Sequence, residues 1–193
     1  MFMEFVFATN NKNKIIELSA KFPKEFTVLG LSDINCLEEI PETSETIEGN
    51  AIQKAHFVFD KYLKNCFADD TGLEVYALNN EPGVRSARYA GKERSSDKNM
   101  DLLLHKLEPH SNRSARFKTV IALVFEGKTY TFEGIVEGVI RKNKIGNNGF
   151  GYDPIFEPEN TGKTFAQMTL EEKNYYSHRA RAFDKMLEFL RSL

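Results

Sequence analysis

Residues 116–140, RFKTVIALVFEGKTYTFEGIVEGVI, constrain the fold more than any other stretch. Two runs rich in β-branched and aromatic residues flank Glu126-Gly127-Lys128, which predicts a long hairpin turning there. In the first run Phe117, Thr119, Ile121, Leu123 and Phe125 recur at every second position, the period of a strand with one buried face. A hairpin of this length needs helices or further strands to cover its apolar surface, and the flanking sequence offers both. Met3 to Ala8 reads as a strand and is followed by a polar loop, after which Ile15, Leu18 and Phe22 fall at helical spacing. Thr46 to Tyr62 predicts a second, longer helix, with Ile47, Ala51, Ala55, Val58 and Tyr62 on the apolar stripe and Asn50, Lys54 and Lys61 on another face. NCFADDTGLEVYAL reads as a strand, a turn and another strand; SSDKNMDLLLHKL reads as a helix with Met100, Leu103 and Leu107 inward. The class is therefore α/β, a mixed β-sheet flanked by helices.

Composition sets limits on partners. The 193 residues are 41% hydrophobic and 28% charged, enough apolar mass for one domain over 1–193. A formal net charge of -2 leaves no basic field for a nucleic-acid polymer, so any nucleotide partner is expected to be small. Cys36 and Cys66 lack CxxC spacing, which suggests free thiols in a reducing cytoplasm rather than a disulfide framework or a zinc site. The apolar opening contains Glu4 and is too short for a signal segment, and no stretch reaches membrane-spanning length.

Several short motifs carry chemistry. ATNNKNK (8–14) joins a strand end to a helix start through hydroxyl, amide and amine side chains, a way to present backbone N–H groups and a lysine to phosphate oxygens. Equally, it could be a polar connection and no more. Lys54 could be a second phosphate ligand or a solvated lysine. Asp69 and Asp70 are adjacent acids, predicted at the end of a strand; Glu42 lies in a loop before the long helix. A few carboxylates completed by water and substrate phosphates are a common Mg2+ site, although an Asx-type turn over Thr71-Gly72 would also account for Asp70. In GFGYDP (149–154), Gly149 and Gly151 flank Phe150, which can lie against a planar ring, while Asp153 can accept hydrogen bonds. Lys173 and His178 are five residues apart, about 140° around a continuous helix, so one helix would not aim both at one place. Ser177 is a good N-cap, which predicts a short helix capped by Thr169 and Glu172, ending near Asn174 to Tyr176, and a new one starting at His178.

With these motifs in hand, the chain resembles the Ham1/RdgB family of inosine/xanthosine triphosphate pyrophosphatases. The likeness runs through ATNNKNK, ADDTGLEV, PGVRSARYAG, GFGYDPIF and LEEKNYYSHR, in family order and spacing over nearly the whole chain. It implies an ITPase-like fold of two lobes with an active-site cleft between them, usually as a homodimer. The implied enzyme is a Mg2+-dependent hydrolase that cleaves dITP, ITP and XTP between the α and β phosphates. The resemblance places Thr9, Asn10, Asn11, Lys12, Asn13 and Lys14 on the phosphate loop, with Lys54 among the substrate ligands. It gives Glu42 and Asp70 as metal ligands, Asp70 as general base and Thr71 as a substrate-contacting hydroxyl. Phe150, Gly151, Tyr152, Asp153, Lys173, His178 and Arg179 fall on the purine-reading and ribose-phosphate positions. One departure is Asn10 and Asn13 where relatives often carry Gly. Two other readings stand beside this one: a pyrophosphatase of different nucleotide specificity, as in the Maf-type proteins, and a nucleotide-binding regulator without turnover.

Overall fold

In the computed structural model, which describes residues 3–19 and 21–193, the predicted hairpin is formed by β5 (Ser114–Phe125) and β6 (Lys128–Ile140). The turn sits at Glu126 (φ 49°) and Gly127 (φ 76°), the paired left-handed geometry that matches strand twist in a two-residue hairpin. The expected one-sided alternation of β5 fails in its middle. Val120, Ala122 and Val124 are buried along with Thr119, Ile121 and Leu123, because this strand is covered on both faces.

The remaining elements are β1 (Met3–Phe7), α1 (Lys12–Ser19), β2 (Phe26–Leu29), α2 (Ile47–Tyr62), β3 (Cys66–Val75), β4 (Glu81–Gly83), α3 (Ser96–Lys106), β7 (Phe156–Pro158), α4 (Leu170–Tyr176) and α5 (His178–Arg191). The sheet runs β2-β1-β3-β5-β6-β7, with β4 also pairing β3. β1 lies parallel to β2 and β3, whereas β3–β4 and β6–β7 are antiparallel, so the sheet is mixed as predicted. Among the described residues no helix is long and apolar enough to cross a membrane.

One turn predicted from sequence is absent. β3 continues through Thr71-Gly72 without a break, so Asp69 and Asp70 lie inside a ten-residue strand and not at a strand end. The local preference of Asp-Thr-Gly for a turn is overridden by partners further along. Leu73 pairs with Gly83 of β4 and donates its N–H to Ser86 Oγ at 2.8 Å. In α1, Leu18 is buried as expected but Ile15 is exposed and Glu17 is buried in its place. Phe22 lies past the end of the helix, where its ring meets Phe183 edge-on at 4.9 Å.

The chain divides into two compact units. Met1–Asp70, Thr119–Glu133 and Ala182–Leu193 form one, with a core of Phe5, Phe7, Phe67, Ile121, Leu123 and Phe183 in which Phe7 and Phe67 stack at 4.6 Å. Thr71–Lys118 and Gly134–Arg181 form the other, around Leu73, Leu103, Phe117, Ile155, Phe156 and Phe165. The predicted helix break near Ser177 is present. Ser177 caps α5 by accepting from Ala180 N at 3.1 Å, and closes α4 by donating its own N–H to Lys173 O at 2.8 Å.

Candidate functional site

In the first unit the chemistry gathers on β3 and α2. Neighbouring residues of a strand point to opposite faces, so the two adjacent carboxylates of Asp69 and Asp70 need not confront each other. Asp69, 1% exposed, is met by Lys14, whose Nζ lies 3.0 Å from Oδ1 and 3.3 Å from the Asp69 carbonyl. Asp70 instead accepts from Asn50 Nδ2 at Oδ2 (3.3 Å) and from Lys54 Nζ at Oδ1 (3.4 Å). The same Lys54 ammonium donates to Glu42 Oε1 at 2.6 Å. Each acid of the pair thus has its own lysine.

α2 organises this cluster from one face. Asn50, Gln53 and Lys54 fall at i, i+3 and i+4, and the preceding loop runs back along them. Glu42 meets Lys54, Thr43 N–H donates to Gln53 Oε1 at 2.9 Å, and Ser44 N–H donates to Asn50 Oδ1 at 2.8 Å. Gly49 permits the close approach, since a Cβ there would come within 2.0 Å of Ser44 Oγ. Asn50 and Lys54, expected on a polar face, are both buried. Burial alone would lower the Lys54 pKa, but Asp70, Asp69 and Glu42 outweigh it and raise the ammonium above its ordinary value. Burial pushes the Asp70 carboxyl up, Lys54 and Lys14 pull it down, and Glu42 and Asp69 add to the upward push, leaving it raised.

The loop 8–13 is built as a helix entry. Asn11 N–H donates to Thr9 Oγ1 at 3.2 Å, and Asn11 Oδ1 accepts from Asn13 N at 3.0 Å, capping α1. Asn10, Asn11, Lys12 and Asn13 are exposed. Neither Asn10 nor Asn13 adopts a left-handed backbone, so asparagine serves there without glycine's conformational freedom.

The donor set fits a magnesium ion that arrives with phosphate better than a dedicated protein cage. Among the described residues no group of three or more His, Cys, Asp or Glu is clustered for a metal. Glu42 and Asp70 do converge on one cation, the Lys54 ammonium, which demonstrates that the two carboxylates can share a positive charge. One or two carboxylates completed by water and substrate oxygens is the usual Mg2+ arrangement.

The second unit holds the other group. Gly149 (φ 74°) starts a turn in which Asp153 Oδ2 accepts from Phe150 N at 2.8 Å; a Cβ on Gly149 would lie 2.0 Å from that same oxygen. Asp153 Oδ2 also accepts from Lys173 Nζ at 2.5 Å, both side chains being buried. Lys173 Nζ lies 4.8 Å and the Arg179 guanidinium 5.6 Å from the half-buried Phe150 ring, within cation–π range. Arg179 Nη2 donates to Thr71 Oγ1 at 3.2 Å, and His178 stacks on Phe117 at 4.5 Å. Phe150, Asp153, Lys173, Arg179 and Thr71 therefore come together within this unit. Gly151 has φ 65° and open space around it. The Tyr152 side chain is buried and donates from its hydroxyl to Ser86 O at 2.8 Å. The Phe150 N–H is given to Asp153.

Sequence reasoning missed Asn50 and Gln53 as partners of this chemistry, although a readable signal existed, since polar residues at i and i+3 continue to Lys54 on one helical face.

The model of the Ham1 family matches residues 5–189. A protein of Flavobacterium johnsoniae named dITP/XTP pyrophosphatase is 58% identical over 188 residues, covering 97% of this chain and 98% of that protein. Among solved structures, the Ham1 protein of Staphylococcus aureus superposes with a TM-score of 0.90 at 42% identity over 98% of each chain. A HAM1 protein from Coxiella burnetii gives 0.92 at 35% identity over 99% of this chain and 100% of that one.

Proposed function

The chain belongs to the Ham1 family, and on that premise we propose that it is a Mg2+-dependent pyrophosphohydrolase acting on dITP, ITP and XTP. Water attacks the α-phosphorus, the bond to the bridging oxygen breaks, and the products are the nucleoside monophosphate and pyrophosphate. Such an activity clears deaminated purines from the nucleotide pool. The observation that carries the reading is the convergence of Glu42 and Asp70 on a single buried cation beside Lys14 and the Thr9–Asn13 helix entry.

Glu42 and Asp70 would hold the metal, which when bound supplies charge neutralisation at the phosphate oxygens. Asp70 takes the proton of the attacking water, a role for a carboxylate fixed at both oxygens. Lys14, Lys54 and the α1 entry bind phosphate oxygens through charge and N–H donors. Phe150 supplies a stacking face, while Lys173 and Arg179 carry donors and no acceptors. A purine with a 6-keto oxygen suits such donors. The 6-amino group of adenine opposes donor to donor and leaves both without partners, at roughly 1–3 kcal/mol for each unsatisfied group. Two such losses give discrimination on the order of 10²-fold.

Measuring kcat/KM for ITP, XTP, GTP and ATP under one set of conditions, with products identified, tests the reading. ITP and XTP should be cleaved to monophosphate and pyrophosphate with ATP rejected. An ATP value within a few-fold of ITP would overturn the selectivity, and release of inorganic phosphate alone would overturn the site of cleavage.

A further inference from the structure

We infer that Asn50 is a positioning residue that sets the orientation of the Asp70 carboxylate through its side-chain amide. The inference rests on the proposed role of Asp70 as general base and adds a residue to it. Asn50 is 1% exposed and lies on α2, whose polar face meets both β3 and the loop that carries Glu42. Its amide can be oriented in only one way. The Ser44 backbone N–H can only donate, so the Asn50 oxygen faces Ser44 at 2.8 Å and the amine end must face Asp70 Oδ2 at 3.3 Å. Lys54, one helical turn further on, takes the other oxygen, Oδ1. A carboxylate held at both oxygens by two side chains of one helix cannot rotate about its terminal bond without breaking one contact. Of the two holders, Lys54 also serves Glu42. Asn50 gives the Asp70 side a neutral, short, rigid donor, and through Ser44 it fixes the loop two residues from Glu42 to the same point.

The two contacts of Asn50 can be separated. Asn50→Asp keeps volume and the acceptor for Ser44 N–H but removes the donor to Asp70; Asn50→Leu removes both contacts without adding charge. Misplacement of a reacting group by about 1 Å can cost about 10²-fold, so kcat for ITP should fall about 10- to 100-fold in both variants while KM changes by less than about threefold. A role confined to the loop would leave Asn50→Asp with kcat within about twofold of the parent, and that result would overturn the inference. An intact kcat with raised KM in both variants would overturn it too.

If neither variant folds, the folded parent still decides. The Asn50 side-chain amide resonances should shift and exchange faster with solvent in Asp70→Ala, and an unchanged pair of resonances would refute the contact. Asp70→Asn separates this inference from the reading it rests on. If Asp70→Asn keeps near-normal turnover, the assignment of Asp70 fails and the inference with it. If Asp70→Asn is inactive while Asn50→Asp is normal, only the role of Asn50 fails.

Discussion

At the scale of single residues, the Lys14–Asp69 pair joins folding to the proposed phosphate site. Lys14 Nζ stands 3.0 Å from a carboxylate whose side chain is fully buried, so removing the lysine takes a direct ion-pair partner from a charge inside the protein. Lys14→Ala should therefore destabilise the fold by about 3–5 kcal/mol and also weaken ITP binding far more than inosine binding. Adding Asp69→Asn should restore most of the stability, because the buried charge is gone, without restoring ITP affinity. Thermal melts and parallel titrations with ITP and inosine check both halves. Equal losses for the two ligands would mean that Lys14 acts only on the fold. Sequence showed a lysine at a helix start and two adjacent acids. That the pairing joins residues 55 apart depends on β1 and β3 being neighbours in the sheet.

At the scale of elements, the glycine loop and the α4 entry each rest on local geometry that can be tested. Gly149→Ala would drive a Cβ to 2.0 Å from Asp153 Oδ2 in a left-handed backbone, whereas Gly151→Ala adds backbone strain in open space. Gly151→Ala should cost about 1–2 kcal/mol, and Gly149→Ala should cost more and disturb the Asp153–Lys173 pair as well. Urea unfolding with the ITP rate measured on the same samples compares them. A Gly149→Ala protein as stable and active as Gly151→Ala would contradict the close approach of Gly149 to Asp153. α4 begins with a reciprocal cap in which Thr169 Oγ1 accepts from Glu172 N at 3.1 Å and Glu172 Oε2 accepts from Thr169 N at 2.8 Å. Thr169→Ala should cost about 0.5–2 kcal/mol, read as a shifted urea midpoint with unchanged slope. The Thr169 N–H, followed by Lys163, lowers the Glu172 pKa. A carboxyl lowered on folding stabilises above its unfolded pKa and loses that contribution as pH falls through its folded pKa. The stability gap between the parent and Glu172→Gln should accordingly be present at neutral pH and close in acid. A gap independent of pH would rule out the charged cap. Thr169, Glu172 and Ser177 were legible because caps use residues three apart in sequence. The turn expected at Thr71-Gly72 was misread because β4 and Ser86, which hold the strand straight, are supplied by later segments.

At the scale of the whole molecule, two apolar clusters hold the two units. Phe183 is fully buried, with ring contacts to Phe22 and Phe67, and Phe156 is fully buried against Phe117 and Phe165. Phe183→Ala and Phe156→Ala should each cost about 3–5 kcal/mol from lost burial and the cavity left behind, measured by urea unfolding. A loss below about 1 kcal/mol at either position would mean that its cluster collapses around the gap. By itself the sequence determined the long hairpin turning at Glu126-Gly127-Lys128, the helices α2 and α3 and the helix break at Ser177, but not β2, β7 or the unbroken course of β3. The former depend on neighbours a few residues apart, which the linear pattern displays. Only the tertiary structure decided which polar groups meet. Lys14 finds Asp69 rather than Asp70, Asn50 and Lys54 leave the surface to hold Asp70, Phe150 N–H and Lys173 both turn to Asp153, and Arg179 reaches Thr71 across 108 positions of chain. Such pairings follow from strand order and from the alternate faces of β3, and the cost of burying a charge or amide without a partner selects among them.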